Sequence, residues 1–188
     1  MFAIVQNGEI VKTGSIKSLF PNVSFPAGGA SAEFKAAHNV VEVVSGEQKD
    51  QRFYWVTPAN PPLQLVGGVP TFVFTNTPKE LEDREESDEN GNPLYVKVLG
   101  EVDGEPAMVD SAERLVTKGL KSQFIAQAKE SANKALADTD WYVIRKAERG
   151  TDIPAEVVEK RAAIIAQCNE KEAAITAATT VDELAQVI

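Results

Sequence analysis

Cysteine and histidine are nearly missing from this chain: there is one of each, Cys168 and His38, in 188 residues. One thiol closes no internal disulfide, and the two together are too few for a zinc site built from Cys and His. A lone histidine leaves any Ser-His-Asp or Cys-His arrangement with a single available base. Positive charge is short as well: 19 Lys and Arg against 28 Asp and Glu give a formal net charge of −9. That balance argues against a nucleic-acid face, which needs clustered Lys and Arg, and against binding to anionic lipid. Long apolar runs are also lacking. The opening Phe2-Ala3-Ile4-Val5 has no basic stretch before it and is too short for a signal peptide, and nothing approaches the ~20 apolar residues of a membrane span. These features lead us to expect synthesis in the cytoplasm, a reducing compartment, without secretion. No G-x-x-x-x-G-K-[ST], G-x-G-x-x-G, G-x-S-x-G, H-E-x-x-H or C-x-x-C motif occurs. The sequence therefore carries no recognisable catalytic set, and we expect no enzymatic activity, metal or cofactor.

What is present changes in texture near residue 108. Before it, proline, glycine and most aromatics punctuate short apolar runs; after it, Ala-rich, strongly charged sequence is interrupted only by Gly119, Gly150 and Pro154. Dense breakers favour strands and turns, whereas Ala with Glu, Lys, Arg and Gln favours helix. The expected fold is α+β in two domains: an N-terminal antiparallel, β-sandwich-like module over 1–108, then a C-terminal α-helical module over 109–188.

In the first part, Asn7-Gly8 between two β-prone runs predicts a hairpin, because both turn positions tolerate positive φ. Ser31 can cap a short helix ending near His38. Val40–Val44, Arg52–Val56, Leu63–Val66, Thr71–Thr75 and Leu94–Leu99 read as strands, with Pro58-Ala59-Asn60-Pro61-Pro62 as a stiff break between two of them. The acidic stretch Glu80–Asn92 reads as a solvated hairpin tip or mobile loop; the sharper alternative, a calcium site, lacks the spacing of an EF-hand loop. In the second part, Asp110-Ser111-Ala112-Glu113 has the form of a capping box opening a helix whose apolar face includes Leu115, Leu120, Phe124 and Leu136. Thr139-Asp140 can cap a second helix that stops at Gly150, and Pro154 suits the first turn of a third. Val157, Ile164, Ile165, Cys168 and Ile175 mark the apolar stripe of that third helix. Thr180-Val181-Asp182-Glu183 is a capping box for a short last one. The stripes are thin and alanine-rich, so these helices need something further to pack against, either the β part or other chains.

Among candidate functional residues, His38 reads as a surface or cap histidine and Cys168 as a small buried hydrophobe. Phe53-Tyr54-Trp55 is the densest aromatic cluster; on a strand, Phe53 and Trp55 share one face and Tyr54 takes the other. One face reads as core; the other face, or the proline-rich loop that follows, is the candidate surface for docking a partner. Trp141 reads as packed between helices.

Three segments carry a family resemblance. Phe2-Ala3-Ile4-Val5-Gln6-Asn7-Gly8 resembles the opening of many bacteriophage tail proteins, and Pro21-Asn22-Val23-Ser24-Phe25-Pro26 resembles the segment that follows it there. Thr139-Asp140-Trp141 with Arg145, Ile153-Pro154, Val157 and Arg161 is similar to a stretch near the C-termini of phage tail-fibre assembly proteins, and is the most specific of the three. Together they span about a third of the chain, and residues 57–110 match no motif. The resemblance implies a tail-fibre assembly chaperone whose N-terminal domain contacts the distal part of the fibre and whose C-terminal part is helical. The partner would be the trimeric tail-fibre protein, and the chaperone a homotrimer alone or on it, acting in the host cytoplasm. Phe53, Tyr54, Trp55, Phe72 and Phe74 are then candidates for fibre contact or its support. Leu120, Phe124, Trp141, Ile164 and Ile165 are candidates for assembly through the helices. A structural baseplate or fibre adaptor retained in the virion is the alternative. A carbohydrate-binding β module rests on the aromatic strand and acidic loop alone.

Overall fold

The computed structural model describes all 188 residues, Met1–Ile188, and the chain is mixed α and β. It divides into two compact units, Met1–Pro78 and Lys79–Ile188. The division falls well before the change in texture near residue 108, because two strand pairs after Pro78 belong with the helices.

In the first unit, β1 (Phe2–Gln6) and β2 (Glu9–Gly14) form the hairpin expected from Asn7-Gly8, whose φ values are 53° and 80°. β3 (Val40–Glu42) pairs antiparallel with the other edge of β1, giving the order β2-β1-β3. Two short helices connect β2 to β3: α1 (Ile16–Leu19), capped by Ser15, and α2 (Ala32–Ala37), capped by Ser31. Phe20 and Phe25 each meet the ring of Phe34 edge-on at 5.1 Å, and His38 stacks on Phe34 at 4.1 Å. His38 is the C-cap of α2, and its Nδ1 lies 2.9 Å from the Phe34 carbonyl oxygen.

A second sheet has the order β4-β6-β5, from β4 (Val44–Ser45), β5 (Tyr54–Val66) and β6 (Val69–Pro78). β4 runs parallel to β6, and β5 returns into β6 through Gly67-Gly68, both at positive φ. The proline-rich stretch does not separate two strands; it lies inside β5. The register steps from Pro58↔Phe74 to Leu63↔Phe72, so residues 59–62 bulge out opposite Val73. β5 is an edge strand, where prolines interrupt no ladder on the outer side.

In the second unit, β7 (Arg84–Glu85) pairs with β10 (Val116–Thr117), and β8 (Tyr95–Val102) forms a hairpin with β9 (Glu105–Arg114). This corrects the expectation of a helix from Asp110: Asp110–Glu113 lies in β9, and Leu115 follows it outside any helix. Asp103-Gly104, at φ 53° and 84°, forms the turn, and the hairpin it starts carries the chain through the capping signature as strand, so the helix bearing Leu120 and Phe124 begins only at Leu120.

Four helices follow: α3 (Leu120–Ala137), α4 (Asp140–Arg149), α5 (Ala155–Ala177) and α6 (Val181–Val187). Gly150 ends α4 in the left-handed conformation, and Thr180 and Glu183 complete the expected capping box. α3 and α5 lie antiparallel: Arg161 reaches the Leu136 carbonyl, and Lys129 pairs with Glu172 at 3.1 Å. Leu120 and Phe124 of α3, Val157 and Ile175 of α5, and Val181 and Leu184 of α6 are the buried apolar residues of these helices.

The acidic stretch is not simply a solvated tip. Its first part clasps the start of α3. The Leu120 and Lys121 amides donate to the Glu80 and Leu81 carbonyls at 2.9 and 3.0 Å. Asp83 accepts from the Gly119 amide and from Lys118 Nζ, each at 2.9 Å. Only Asp88–Asn92 makes a turn of its own, with Asp88 Oδ1 accepting from the Asn90 and Asn92 amides.

Candidate interaction surfaces

The aromatic cluster of the first unit divides between core and surface. Phe53 lies in the turn before β5 and is buried, at 1% exposure; Tyr54 is buried as the first residue of the strand. Trp55, next along the strand, is 63% exposed. Phe53 and Trp55 therefore do not share a face, because Phe53 is outside the strand and alternation starts one residue later. The outer face around Trp55 is built by its register partners: Thr77 opposite it, then Thr57 opposite Thr75. All three threonines are exposed. Phe72 and Phe74 lie on the other face of the sheet, half-buried, with ring centroids 5.2 Å apart. Of the five aromatic candidates, Trp55 alone presents its side chain outward; the other four support the sheet from within.

In the second unit, Leu120 and Phe124 are buried, Ile164 is half-buried, and Ile165 is 47% exposed. The stripe on α5 thus splits: Val157, Ile164, Cys168 and Ile175 turn towards α3, α6 and the interior, while Ile165 and Val158 face solvent. A groove of about 370 Å³ lies between α3 and α5, floored by Ala128, Ala132, Ile164 and Cys168 and closed at one end by Ile188. Burial, then the Glu172 carboxylate 3.4 Å away, raise the Cys168 thiol above its ordinary pKa, the opposite of an activated nucleophile.

Trp141 is not packed between helices, as the sequence suggests, but is 49% exposed near the start of α4. Its ring centroid lies 3.8 Å from that of Tyr142, and the Arg145 guanidinium sits 4.7 Å from it. No residue of α4 is buried, and Val143 and Ile144 are exposed beside Trp141. The Thr139-Asp140-Trp141 motif has a clear structural component. Arg161 Nη1 donates to the Leu136 carbonyl, Thr139 Oγ1 and Asp140 Oδ1 at 3.0, 2.7 and 2.9 Å. One guanidinium nitrogen on α5 thereby fixes the corner between α3 and α4, and Trp141 is held outward beside it.

The surface that the sequence reading did not single out is the β8–β9 hairpin. Its base is tied down: the Leu115 amide donates to Leu94, and the Glu86 amide to Leu115, both at 2.8 Å. Arg114 bridges the same place, meeting Glu85 and the Glu86 carbonyl at 3.3 Å. Beyond the base, no other strand joins the pair. One face carries Lys97, Leu99 and Glu101 opposite Asp110, Met108 and Pro106. Leu99 is 75% and Met108 60% exposed, and Val98 and Val102 on the other face are also exposed. An isolated two-stranded ribbon is marginal in water, so a ribbon with apolar residues on both faces is a surface that gains from company. Asp103-Gly104 was the sequence signal that could have located it.

No three His, Cys, Asp or Glu side chains converge in a metal-binding arrangement. No helix is long and apolar enough to cross a membrane. No protein-family model matches the chain, and comparison with curated proteins and with solved structures finds no match.

Proposed function

We propose that this chain is an assembly chaperone for a phage tail fibre, working by apolar contact and shape in the host cytoplasm, without turnover and without a cofactor. One observation carries the reading: in an acidic chain, large apolar side chains sit at the surface of both units. Trp55 is 63%, Leu99 75%, Met108 60% and Ile144 56% exposed. Such surface is what a protein needs to shield another chain's unfinished faces. The client chemistry fits: before three fibre chains intertwine, each exposes sheet edges and apolar faces that aggregate.

In this reading the two three-stranded sheets of the first unit form a sandwich-like client-binding module. The Trp55–Thr77 face and the edge of β5 meet the fibre, by docking or strand addition. The helices from Leu120 onward, with Trp141 and Ile165 outward, arrange copies around the threefold client, one per fibre chain. The sequence resemblance to tail-fibre assembly proteins is what points to a fibre as the class of client.

Co-expression with a phage tail-fibre chain tests this. The fibre is expected to be soluble and trimeric with this chain and aggregated without it. A fibre that is soluble and trimeric by itself removes the chaperone role.

A further inference from the structure

We infer that the free chain forms a two-fold dimer by antiparallel pairing of β8 with β8 of a second copy, centred on Leu99. The inference concerns the chain without its client, so it does not rest on the chaperone reading.

The backbone selects the edge. In a two-residue hairpin the residues flanking the turn, here Val102 and Glu105, exchange both amide bonds, and bonded and non-bonded pairs alternate from there. Lys97, Leu99 and Glu101 are therefore in non-bonded pairs, and their N–H and C=O groups point away from β9 to the open side. On β9 the outward positions are Pro106, Met108 and Asp110. Pro106 has no N–H, so that edge is interrupted. The β8 edge offers donors and acceptors at three alternate residues, with no strand beside it.

The side chains select the register. With the two-fold axis at Leu99, Lys97 stands opposite Glu101 of the second copy, and Glu101 opposite its Lys97. These are residues whose outward amides the pairing uses, so the backbone permits the alignment that the charges select. Leu99 meets Leu99, and Met108 flanks the pair on each side, making one apolar row across four strands. The bordering rows read Asp110, Lys97, then Glu101 and Pro106 of the second copy. Lys97 already contacts Asp110 at 2.6 Å within its own hairpin. Each lysine is thus set between two carboxylates. A slip of one residue would move Leu99 to the opposite face and leave Lys97 unmatched.

A threefold set on the fibre and a two-fold pair in its absence are different assemblies, and the purified 188-residue chain examines the second alone. Sedimentation at about 100 μM is expected to give twice the 20.3 kDa chain mass. In a Cys168→Ser background, Leu99→Cys is expected to yield a covalent dimer on mild oxidation. A bonded antiparallel pair sets its Cα atoms about 5.5 Å apart, within disulfide reach. Met108→Cys is expected to stay unlinked, because three strand spacings, about 14 Å, separate the two copies there. Glu101→Lys places lysines opposite each other twice and is expected to weaken the dimer more than tenfold. A monomer at that concentration overturns the inference. So does cross-linking through Met108 rather than Leu99, or a Glu101→Lys protein that dimerises as tightly as the parent.

Discussion

Gly119 is the most constrained glycine in the chain, and its replacement by alanine tests how the second unit is held together. Its backbone, at φ −72° and ψ 170°, is one that any residue adopts, so the constraint is space alone. A methyl group there would lie 2.3 Å from the Glu82 carbonyl oxygen and 2.4 Å from both the Glu82 carbonyl carbon and the Leu81 oxygen. Ordinary contact needs about 3.5 Å, so the 80–83 backbone must withdraw by about an ångström. All three obstructing atoms are backbone, and no side-chain rotation relieves the overlap. Withdrawal breaks the Leu120 and Lys121 amide bonds to Glu80 and Leu81, now at 2.9 and 3.0 Å. At about 1 kcal/mol each, these two bonds give about 2 kcal/mol, before any strain that persists. With a urea slope of about 2 kcal/mol/M, the midpoint should fall by about 1 M. Far-UV circular dichroism at 222 nm is the readout, because the four longest helices, α3 to α6, lie in this unit. Gly28→Ala, with nothing within 4 Å of the new methyl, is the control and should leave the midpoint in place. A midpoint for Gly119→Ala within about 0.2 M of the parent would show that residues 80–83 do not close on the start of α3.

Asp83 makes the same clasp sensitive to acid. Hydrogen bonds from Lys118, Ser122 and the Gly119 amide, in that order, hold its pKa at about 2 against an ordinary 3.8. The unfolded chain then binds more protons between those values, so stability is present above pH 4 and falls as pH drops from about 4 to 2; Asp83→Asn should flatten that slope in urea titrations across the window. Arg161→Met removes three hydrogen bonds at the α3–α4 corner and should lower the stability of the second unit by about 2–3 kcal/mol in denaturant melts, with Arg161→Lys recovering only part. Phe53→Ala should cost about 3–5 kcal/mol of first-unit stability, whereas Trp55→Ala, two residues on, should change stability by less than about 0.5 kcal/mol and should instead reduce fibre binding in a pull-down.

Features that depend on a few neighbouring residues could be read from the chain. Asn7-Gly8 turns where expected because its φ requirement is local, and Thr180 with Glu183, Gly150 and Ser31 act at the helix ends they were assigned. The mistaken helix at Asp110 has the opposite origin. Asp-Ser-Ala-Glu satisfies a capping pattern in isolation, but Asp103-Gly104 had already committed the following residues to a strand. Pro58–Pro62 looked like a break because proline spoils a central strand; the sequence could not show that β5 lies at an edge. Burial of single aromatics was least legible. Phe53, Tyr54 and Trp55 have similar chemistry, and only the residue at which the strand begins decides which of them is outside. Trp141 faces solvent because Arg161 fixes the corner before it from a position 20 residues away along the chain.

The bulge in β5 makes a practical insertion point. Residues 59–62 have one counterpart, Val73, and the pairing resumes on both sides with its own partners. Asn60, Pro61 and Pro62 are exposed, and the alignment of the flanking strand segments is set by contacts outside the loop. Loop lengthening costs only about 0.6 kcal/mol per doubling. A short epitope or dye-labelling sequence spliced at Asn60 would therefore mark the middle of a long strand while leaving Trp55 and its threonine neighbours in place, giving a tag that sits beside the proposed docking face.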